Sequence, residues 1–362
     1  MSFTEKKREE IKKYILRKIM SDDENFIAKT MDNFGISITS VKRYLQELES
    51  CNVIESSDQK KCKYHLAEAI HREEIDLKGN RNNEDRIFSA SVKPYLINCN
   101  DKAHRIWQYV CAEMINNAME HSDGNKLCIE VRSNPFSSSV LILDDGIGVF
   151  ATLLDYMKKH GWEDPITEDA LIELYKGKIT SKEENHSGEG IFFSSKMVDE
   201  FCLWSDSYIY KAGHGKAPQT IQSHLSAYKT RIDRIGTLVL MRLENETERN
   251  ISEVFGMYTD VEEGFVKTMI PVKEACISGE PVARSQARRI CNRLEAFQEV
   301  VLDFKDVEFM GQGFADEMFR VYAVAHPQVK MHPINMLPEV GRMIRHVGRG
   351  KLPENVCLES YD

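Results

Sequence analysis

Three segments in the middle of the chain carry residues that could bind a nucleotide. Glu113 and Asn117 lie four residues apart in a stretch with helical apolar spacing, so both side chains point from one helix face. Asp144 follows an apolar run and opens the sequence Asp-Asp-Gly-Ile-Gly at 144–148, where a carboxylate could accept a hydrogen bond from an exocyclic amine and glycines let a base approach the backbone. Residues 186–190 read His-Ser-Gly-Glu-Gly before another helical pattern, whose first amides could hold phosphates.

Each segment also has an ordinary structural explanation. The predicted helix at 101–121 could simply present a polar face to solvent, and an Asp-Gly turn after a strand is common. A single Gly-x-Gly is weak support for a phosphate site. The order in which the segments occur is more informative than any one of them, because two predicted strands, 127–131 and 139–143, separate the helix from the first glycine-rich turn.

Five elements of the sequence resemble a known ATP-binding fold. Glu-x-x-x-Asn-Ala, Asp-x-Gly-x-Gly, Thr-Ser-Lys and Gly-x-Gly occur in this order, followed by Gly236-Thr237 at the start of a final strand. This order is similar to that of the GHKL group, which includes gyrase, a heat-shock chaperone family, sensor histidine kinases and MutL. The resemblance covers about residues 96–245 and implies a two-layer α/β sandwich that binds ATP with Mg²⁺.

The resemblance also implies roles for individual residues. Asn117 would coordinate the Mg²⁺ ion that bridges the ATP phosphates, and Asp144 would accept a hydrogen bond from the adenine amino group. Residues 151–185 would form a mobile lid over ATP. The other positions implied to contact the nucleotide are Gly146 and Gly148 on the adenine side, Lys182, Gly188 and Gly190 at the phosphates, and Thr237 beside the base.

Glu113 bears on which reaction the family resemblance implies. In the gyrase and MutL branch a carboxylate here polarises the attacking water, and in anti-sigma kinases it is the base for a protein hydroxyl, whereas histidine kinases usually carry Asn. The preferred interpretation is a regulator that slowly hydrolyses Mg-ATP, with Glu113 as catalytic base. The alternatives are an anti-sigma-like serine/threonine kinase acting on a separate partner, and a non-catalytic ATP sensor. His121 and His186 are interpreted as polar contacts at the pocket rim.

The N-terminal residues 1–67 resemble a winged helix-turn-helix of bacterial transcription regulators. Three helical patterns precede two short strand patterns, and the third contains the phrase Gly-Ile-Ser-x-x-Ser-Val-Lys-Arg-Tyr-Leu-x-x-Leu-Glu. Ser37 or Thr39 could cap this third helix. The positions predicted to face DNA are Thr39, Ser40, Lys42, Arg43 and Gln46. A module for protein contacts or dimerisation is the alternative, because thirteen Lys or Arg against eleven Asp or Glu give residues 1–66 a charge of only about +2.

The C-terminal residues 264–352 alternate strand and helix patterns, which predicts a small α/β domain. The stretch from Val300 to Arg320 resembles the anti-sigma-factor antagonist (STAS) class and implies binding to a protein partner. Regulated antagonists carry Ser or Thr where the strand meets its next helix, but this chain has Gly311-Gln312-Gly313, so the expected phosphate-accepting hydroxyl is missing. The polar side chains of Gln312, Asp316, Glu317 and Arg320 predict either a docking surface or a solvated helix face with local ion pairs.

The length suits two or three domains, and the three segments described above together predict an α+β protein of three domains, with 68–95 as a connector between the first two. The 362 residues carry a net charge of −9 and include nine cysteines, with no Cys-x-x-Cys pair. The absence of a long apolar run or signal-peptide pattern predicts a cytoplasmic protein without a membrane anchor. The resemblance to GHKL proteins further implies a homodimer that forms when ATP binds.

Overall fold

The computed structural model describes residues 3–56, 63–77, 83–179, 189–213, 235–276, 279–349 and 351–358. In these ranges helices combine with a large antiparallel sheet and a small parallel one, so the predicted α+β class is confirmed. Every helix in the described ranges is too short or too polar to cross a bilayer.

The N-terminal unit consists of three helices and a two-stranded antiparallel sheet. The helices are α1 (Glu5–Met20), α2 (Phe26–Phe34) and α3 (Ile38–Ser50), and the strands are β1 (Ile54–Ser56) and β2 (Tyr64–Leu66). Gly35 ends α2 in the left-handed conformation, and the Ser37 hydroxyl accepts a hydrogen bond from the Ser40 amide to cap α3. The buried side chains of this unit form a core of their own, with Ile11, Ile15 and Val41 fully buried.

The central unit is built on a six-stranded antiparallel sheet. Its strand order is β3-β4-β5-β8-β6-β7. The strands are β3 (Ala69–Asp76), β4 (Lys126–Ser133), β5 (Ser137–Asp144), β6 (Glu200–Ser205), β7 (Tyr208–Gly213) and β8 (Leu238–Glu244).

The prediction that residues 68–95 form a connector is wrong for most of this stretch. Residues 69–76 form the edge strand β3, which pairs with the whole of β4 from Ala69 opposite Ser133 to Asp76 opposite Lys126. A run of helical turns follows, comprising α4 (Glu84–Ile87), a π-helical turn (Phe88–Val92) and a 3₁₀ turn (Lys93–Tyr95). Phe88 and Val92 are buried in the central core, so this stretch is part of the folded unit.

Four helices supply residues to the central core beside the sheet. They are α5 (Asp101–His121), α6 (Val149–Lys159), α7 (Thr167–Lys176) and α8 (Gly190–Met197). The Asn100 side chain caps α5 by accepting a hydrogen bond from the Ala103 amide. The predicted lid at 151–185 is helical in α6 and α7, and every residue from Ala170 to Lys176 is buried. The later part of α7 is therefore packed within the folded unit, and residues 180–185 lie outside the described ranges.

The C-terminal unit contains a three-stranded parallel sheet in the order β11-β12-β13, formed by Lys267–Pro271, Glu299–Asp303 and Lys330–Ile334. A helix (α9, Ile251–Gly256) and a short pair of strands (β9, Thr259–Asp260; β10, Gly264–Phe265) precede it. Its helical segments are α10 (Val272–Ala275), α11 (Arg284–Cys291), a 3₁₀ turn (Leu294–Ala296), α12 (Gln312–Asp316), a π-helical turn (Glu317–Tyr322), α13 (Ala323–Ala325) and α14 (Pro338–Val347). The alternation of strand and helix is that predicted from the sequence.

The central and C-terminal units share one hydrophobic core. A single cluster of buried side chains runs from Ile75 beside the central sheet to Val356 beside the parallel sheet. The N-terminal core is separate, although Phe136 from the turn between β4 and β5 packs against it.

Candidate functional site

A cavity of about 380 Å³ lies among α5, α6, α7, α8 and the adjoining ends of β5 and β8. Its volume is within the range of small-molecule sites in proteins. Six of the residues predicted to form a nucleotide pocket line this cavity: Glu113, Asn117, Asp144, Gly148, Gly190 and Thr237. His121 lines it as well. The structure thus brings together residues separated by more than a hundred positions in sequence.

Asp144 is held in place by two backbone amides at the end of β5. One carboxylate oxygen, Oδ1, accepts hydrogen bonds from the amides of Gly146 at 2.9 Å and Thr237 at 3.2 Å. The side chain is only 4% exposed. Burial raises the pKa of the Asp144 carboxyl to about 6, and the neighbouring charge of Asp145 adds to the rise, while the two amides oppose it. Asp144 is therefore a buried hydrogen-bonding group that ionises less readily than an exposed aspartate.

Two glycines shape this end of the cavity in different ways. Gly148 lines the cavity with a φ of +91°, a backbone conformation that favours glycine. Gly146 does not line it, which differs from the predicted nucleotide contact. A Cβ atom at Gly146 would lie 2.0 Å from the carbonyl oxygen of Ser122, so this glycine allows the turn to pack against the end of α5. Its contribution to the site is the amide that holds Asp144.

Thr237 makes hydrogen bonds both to Asp144 at the end of β5 and to the start of α6. Its amide donates to Asp144, and its hydroxyl accepts a hydrogen bond from the amide of Val149 at 3.0 Å, where α6 begins. The neighbouring Gly236 approaches so closely that a Cβ atom there would lie 2.2 Å from Asp144 Oδ1. Thr237 thus fixes the start of α6 and the Asp144 carboxylate at once.

The opposite end of the cavity is acidic and lies at the N-terminus of α8. Glu113 from α5 reaches Gly190 so closely that a Cβ atom at Gly190 would lie 2.2 Å from Glu113 Oε2. Glu189 also lines this end. Burial raises the pKa of Tyr109 well above its ordinary value, and the nearby charges of Glu113 and Glu189 add to the rise. Asn117 stands one turn beyond Glu113 on the same helix face. Carboxylates and an amide oxygen, close to free helix amides, are suited to a polyphosphate bound with a divalent cation.

Apolar side chains that the sequence motifs do not indicate form the rest of the wall. They include Met114, Ile142, Leu153, Leu174 and Val239, which come from five helices and strands. Tyr109 was also missed, although its position four residues before Glu113 places it on the same helix face. Glu189 could have been found from its place between the two predicted glycines. The apolar wall had no sequence signal, because only the fold brings these residues to one cavity.

Two predicted phosphate contacts, Lys182 and Gly188, lie outside the described residues, as does His186.

The predicted DNA-facing residues lie on the outer face of α3. Thr39, Lys42, Arg43 and Gln46 are exposed, and Ser40 is half-exposed beside the capping hydroxyl of Ser37 at 3.2 Å. The Arg43 guanidinium lies 3.7 Å from the carboxylate of Glu47 one turn along, so its charge is partly balanced.

The acidic side chains on the helix after β12 make ion pairs within the unit. Asp316 is paired with Arg284 and Arg320, and Glu317 is paired with Arg284 and Arg288. Both residues are buried, so local ion pairs account for their charge better than a docking surface does. Within Gly311-Gln312-Gly313, a Cβ atom at Gly311 would lie 2.5 Å from the carbonyl oxygen of Val282, so this position has no room for a side chain. At Gly313 the nearest atom to a Cβ atom would be 3.4 Å away, at Arg284.

Comparison with known families agrees with the C-terminal resemblance. Residues 286–340 match the family model of a STAS-like domain of unknown function (DUF4325). This range includes the end of α11, the strands β12 and β13, and the helical segments between them. No curated protein matches the chain. The C-terminal part of this protein therefore contains a STAS-like domain.

Proposed function

We propose that the central cavity binds Mg-ATP in the manner of GHKL proteins and that the chain is a nucleotide-switched regulator. The observation that carries the proposal is the meeting of six predicted nucleotide-pocket residues on one cavity of about 380 Å³. All six are predicted by the sequence motifs and by their resemblance to the GHKL group. Chance alone would not place a helix carboxylate, a strand-end aspartate and two separate glycine turns around one space.

The end of the cavity around Asp144 is suited to a purine. The Asp144 carboxylate has a second oxygen besides the Oδ1 atom that the backbone holds, and this oxygen can accept a hydrogen bond from an exocyclic amine. The apolar side chains of Ile142, Leu153 and Val239 can pack against a flat ring. Binding an amine donor would also favour the ionised form of a carboxyl whose pKa burial has raised.

The end around Glu113 is suited to phosphates only when a cation is present. The carboxylates of Glu113 and Glu189 would repel a triphosphate, and a divalent cation between them would remove that repulsion. The Asn117 amide oxygen is a ligand type that Mg²⁺ uses together with phosphate oxygens and water. Bound Mg²⁺ would neutralise phosphate charge, while the amides of Gly190 and its neighbours at the start of α8 would donate to phosphate oxygens.

The reaction can be assigned by incubating the purified full chain with Mg²⁺ and γ-labelled ATP. We expect slow release of labelled inorganic phosphate, because Glu113 can orient and deprotonate a water molecule. Label on an added antagonist-type protein would instead identify a protein kinase, and binding without either product would identify an ATP sensor. Failure of the unmodified chain to bind Mg-ATP at all would contradict the proposed function.

The N-terminal unit is proposed to contact DNA through α3. Replacing Lys42 and Arg43 by Glu reverses two exposed charges on this face, so we expect at least a tenfold loss of affinity for duplex DNA at moderate salt. The measurement is retention of fragments selected from a random-sequence duplex pool by the unmodified protein. The matched control reverses Lys158 and Lys159, an exposed basic pair at the end of α6, with the same change in net charge. Equal retention by both variants would contradict a DNA-contacting role for α3.

Nucleotide and DNA binding would be linked through association of two chains. If ATP promotes a homodimer, it also sets the distance between two copies of α3, and that distance determines which half-site spacing fits. The STAS-like domain would then be available for a protein partner. Sedimentation and DNA affinity measured with ATP, with ADP and without nucleotide test this link, and identical results in all three states would exclude it.

A further inference from the structure

Two chain segments that form one wall of the cavity also contact the C-terminal unit. Leu174 on α7 and Ile179 just beyond it line the cavity, and so do Gly190 and Phe193 of α8. Other residues of α7 contact β11, α10 and α11, and Phe192 of α8 packs against Phe265 of β10. One side of this wall therefore faces the cavity while the other rests on the unit that contains the STAS-like domain.

The end of α7 is held by a buried lysine. Lys176 is 1% exposed, and its ammonium group donates to the Glu173 carboxylate at 2.6 Å and to the carbonyl oxygen of Asn292. Asn292 caps the C-terminal end of α11, where helix carbonyls lack partners within the helix and the helix dipole favours a positive charge. These partners hold the ammonium group in one position, because moving it away from them would leave a buried positive charge unpaired.

A second hydrogen bond fixes the backbone at the same point. The Thr268 hydroxyl, fully buried on β11, donates to the carbonyl oxygen of Lys176 at 2.9 Å. Two residues further on, the Lys178 ammonium donates to the carbonyl oxygen of Ala296 at 2.7 Å and lies 4.5 Å from the centre of the Phe297 ring. The chain between Leu174 and Ile179 is thus attached to the C-terminal unit by side-chain and backbone contacts.

The start of α8 is attached to the same unit and to α7. The Phe192 ring packs 4.8 Å from Phe265 of β10, and a Cβ atom at Gly177 would lie only 2.7 Å from Phe192 Cβ. Closely packed groups of this kind transmit a displacement, because there is no free volume to absorb it. The end of α7 and the start of α8 therefore move with each other and with β11.

We infer that the C-terminal unit sets the position of the cavity wall and thereby regulates nucleotide affinity, with Lys176 and Thr268 as positioning residues. This inference rests on the proposed binding of ATP and adds how that site is controlled. Because coupling between two sites is reciprocal, an event at α11 or β11 that shifts α7 changes nucleotide affinity, and nucleotide binding stabilises the contacts of α7 with α11.

The test replaces Thr268 by Val in the full chain. Valine keeps the buried shape but cannot donate to the Lys176 carbonyl, so the end of α7 loses one of its attachments. We expect ATP affinity, measured by calorimetry, to fall by about three- to tenfold, at the lower end of typical allosteric couplings. The matched control is Thr30→Val, which removes another fully buried hydroxyl that donates to a carbonyl, that of Phe26 at 2.6 Å, in the N-terminal unit. The control should bind ATP as the unmodified protein does.

Hydrogen exchange provides a second measurement that does not depend on a variant. ATP should slow amide exchange in residues 284–297 of the unmodified protein, which do not line the cavity, while leaving α14 unchanged. The inference is overturned if the unmodified protein binds ATP but exchange at 284–297 is unaffected, or if Thr268→Val binds ATP as tightly as Thr30→Val does. Absence of ATP binding by the unmodified protein would overturn the proposed function, and this inference with it.

Discussion

Asp144→Asn is expected to abolish ATP binding and to make the nucleotide-free protein more stable at pH 7. Asparagine keeps an oxygen that can accept from the amides of Gly146 and Thr237, but its second group is an amide that donates. A donor placed opposite the adenine amino group leaves two donors facing each other in a buried site. We expect a loss of at least about 100-fold in ATP affinity, since unmatched buried polar groups carry the full cost of desolvation.

The gain in stability follows from the raised pKa of Asp144. The folded-state pKa of about 6 lies above the ordinary value of 3.8, so folding favours the protonated carboxyl. The free energy of unfolding therefore decreases as pH rises from about 4 to about 6, and the cost of ionisation is fully present at pH 7. A pKa difference of about two corresponds to roughly 3 kcal/mol at most, which asparagine would remove because it carries no charge.

Chemical denaturation at pH 5 and pH 7 together with calorimetry checks both effects. The stabilisation by Asp144→Asn should be larger at pH 7 than at pH 5. The matched control is Asp145→Asn, because the carboxylate of Asp145 accepts from the amides of Asn125 and Lys126 and does not line the cavity. ATP binding by Asp144→Asn at unmodified affinity would show that this carboxylate does not recognise the base.

Glu113→Gln is expected to remove ATP turnover while leaving ATP binding. Glutamine has nearly the shape of glutamate but cannot accept a proton from water, and a positioned general base contributes about 100- to 10,000-fold in rate. The side chain reaches the N-terminus of α8 at Gly190, where phosphates are proposed to lie. Turnover should therefore fall by about that factor, whereas the dissociation constant for ATP should change by less than about threefold.

Single-turnover assays with labelled ATP separate these two effects. Glu120→Gln is a suitable control, because Glu120 lies on the same helix but does not line the cavity. If Glu113→Gln released phosphate as fast as this control, Glu113 would not be the base. If it lost both binding and turnover, the carboxylate would contribute to the cation or phosphate site instead.

Helical spacing and strand-end glycines were sufficient to predict much of the fold and the site. The helix at 101–121 and the strands around 127–131 and 139–143 carry strong apolar periodicity, and the structure has elements at these positions. The polar residues of the candidate site could be predicted from the sequence because their types and order resemble those of the GHKL group. Their shared cavity shows that the order reflects proximity in the fold.

Strand β3 could not be predicted from its sequence, Ala-Ile-His-Arg-Glu-Glu-Ile-Asp. It is an edge strand whose only buried residue is Ile75, so it lacks the alternation of apolar and polar side chains. Backbone hydrogen bonds with β4 hold this strand in place, and they cannot be predicted from the order of its side chains. The burial of Glu173 and Lys176 on α7 has no sequence signal either, because it depends on contact with Asn292 in a distant part of the chain.

The single core beneath the central and C-terminal units limits how this protein can be divided. A chain that ended after β8 would lose Phe265, against which both Phe192 and Phe193 pack, and would expose this aromatic surface to water. The last hundred residues are thus a structural part of the cavity-bearing unit and could not be exchanged for another module without repacking its interior. The N-terminal unit has its own core, so it is the segment that recombination could replace while the rest of the protein still folds.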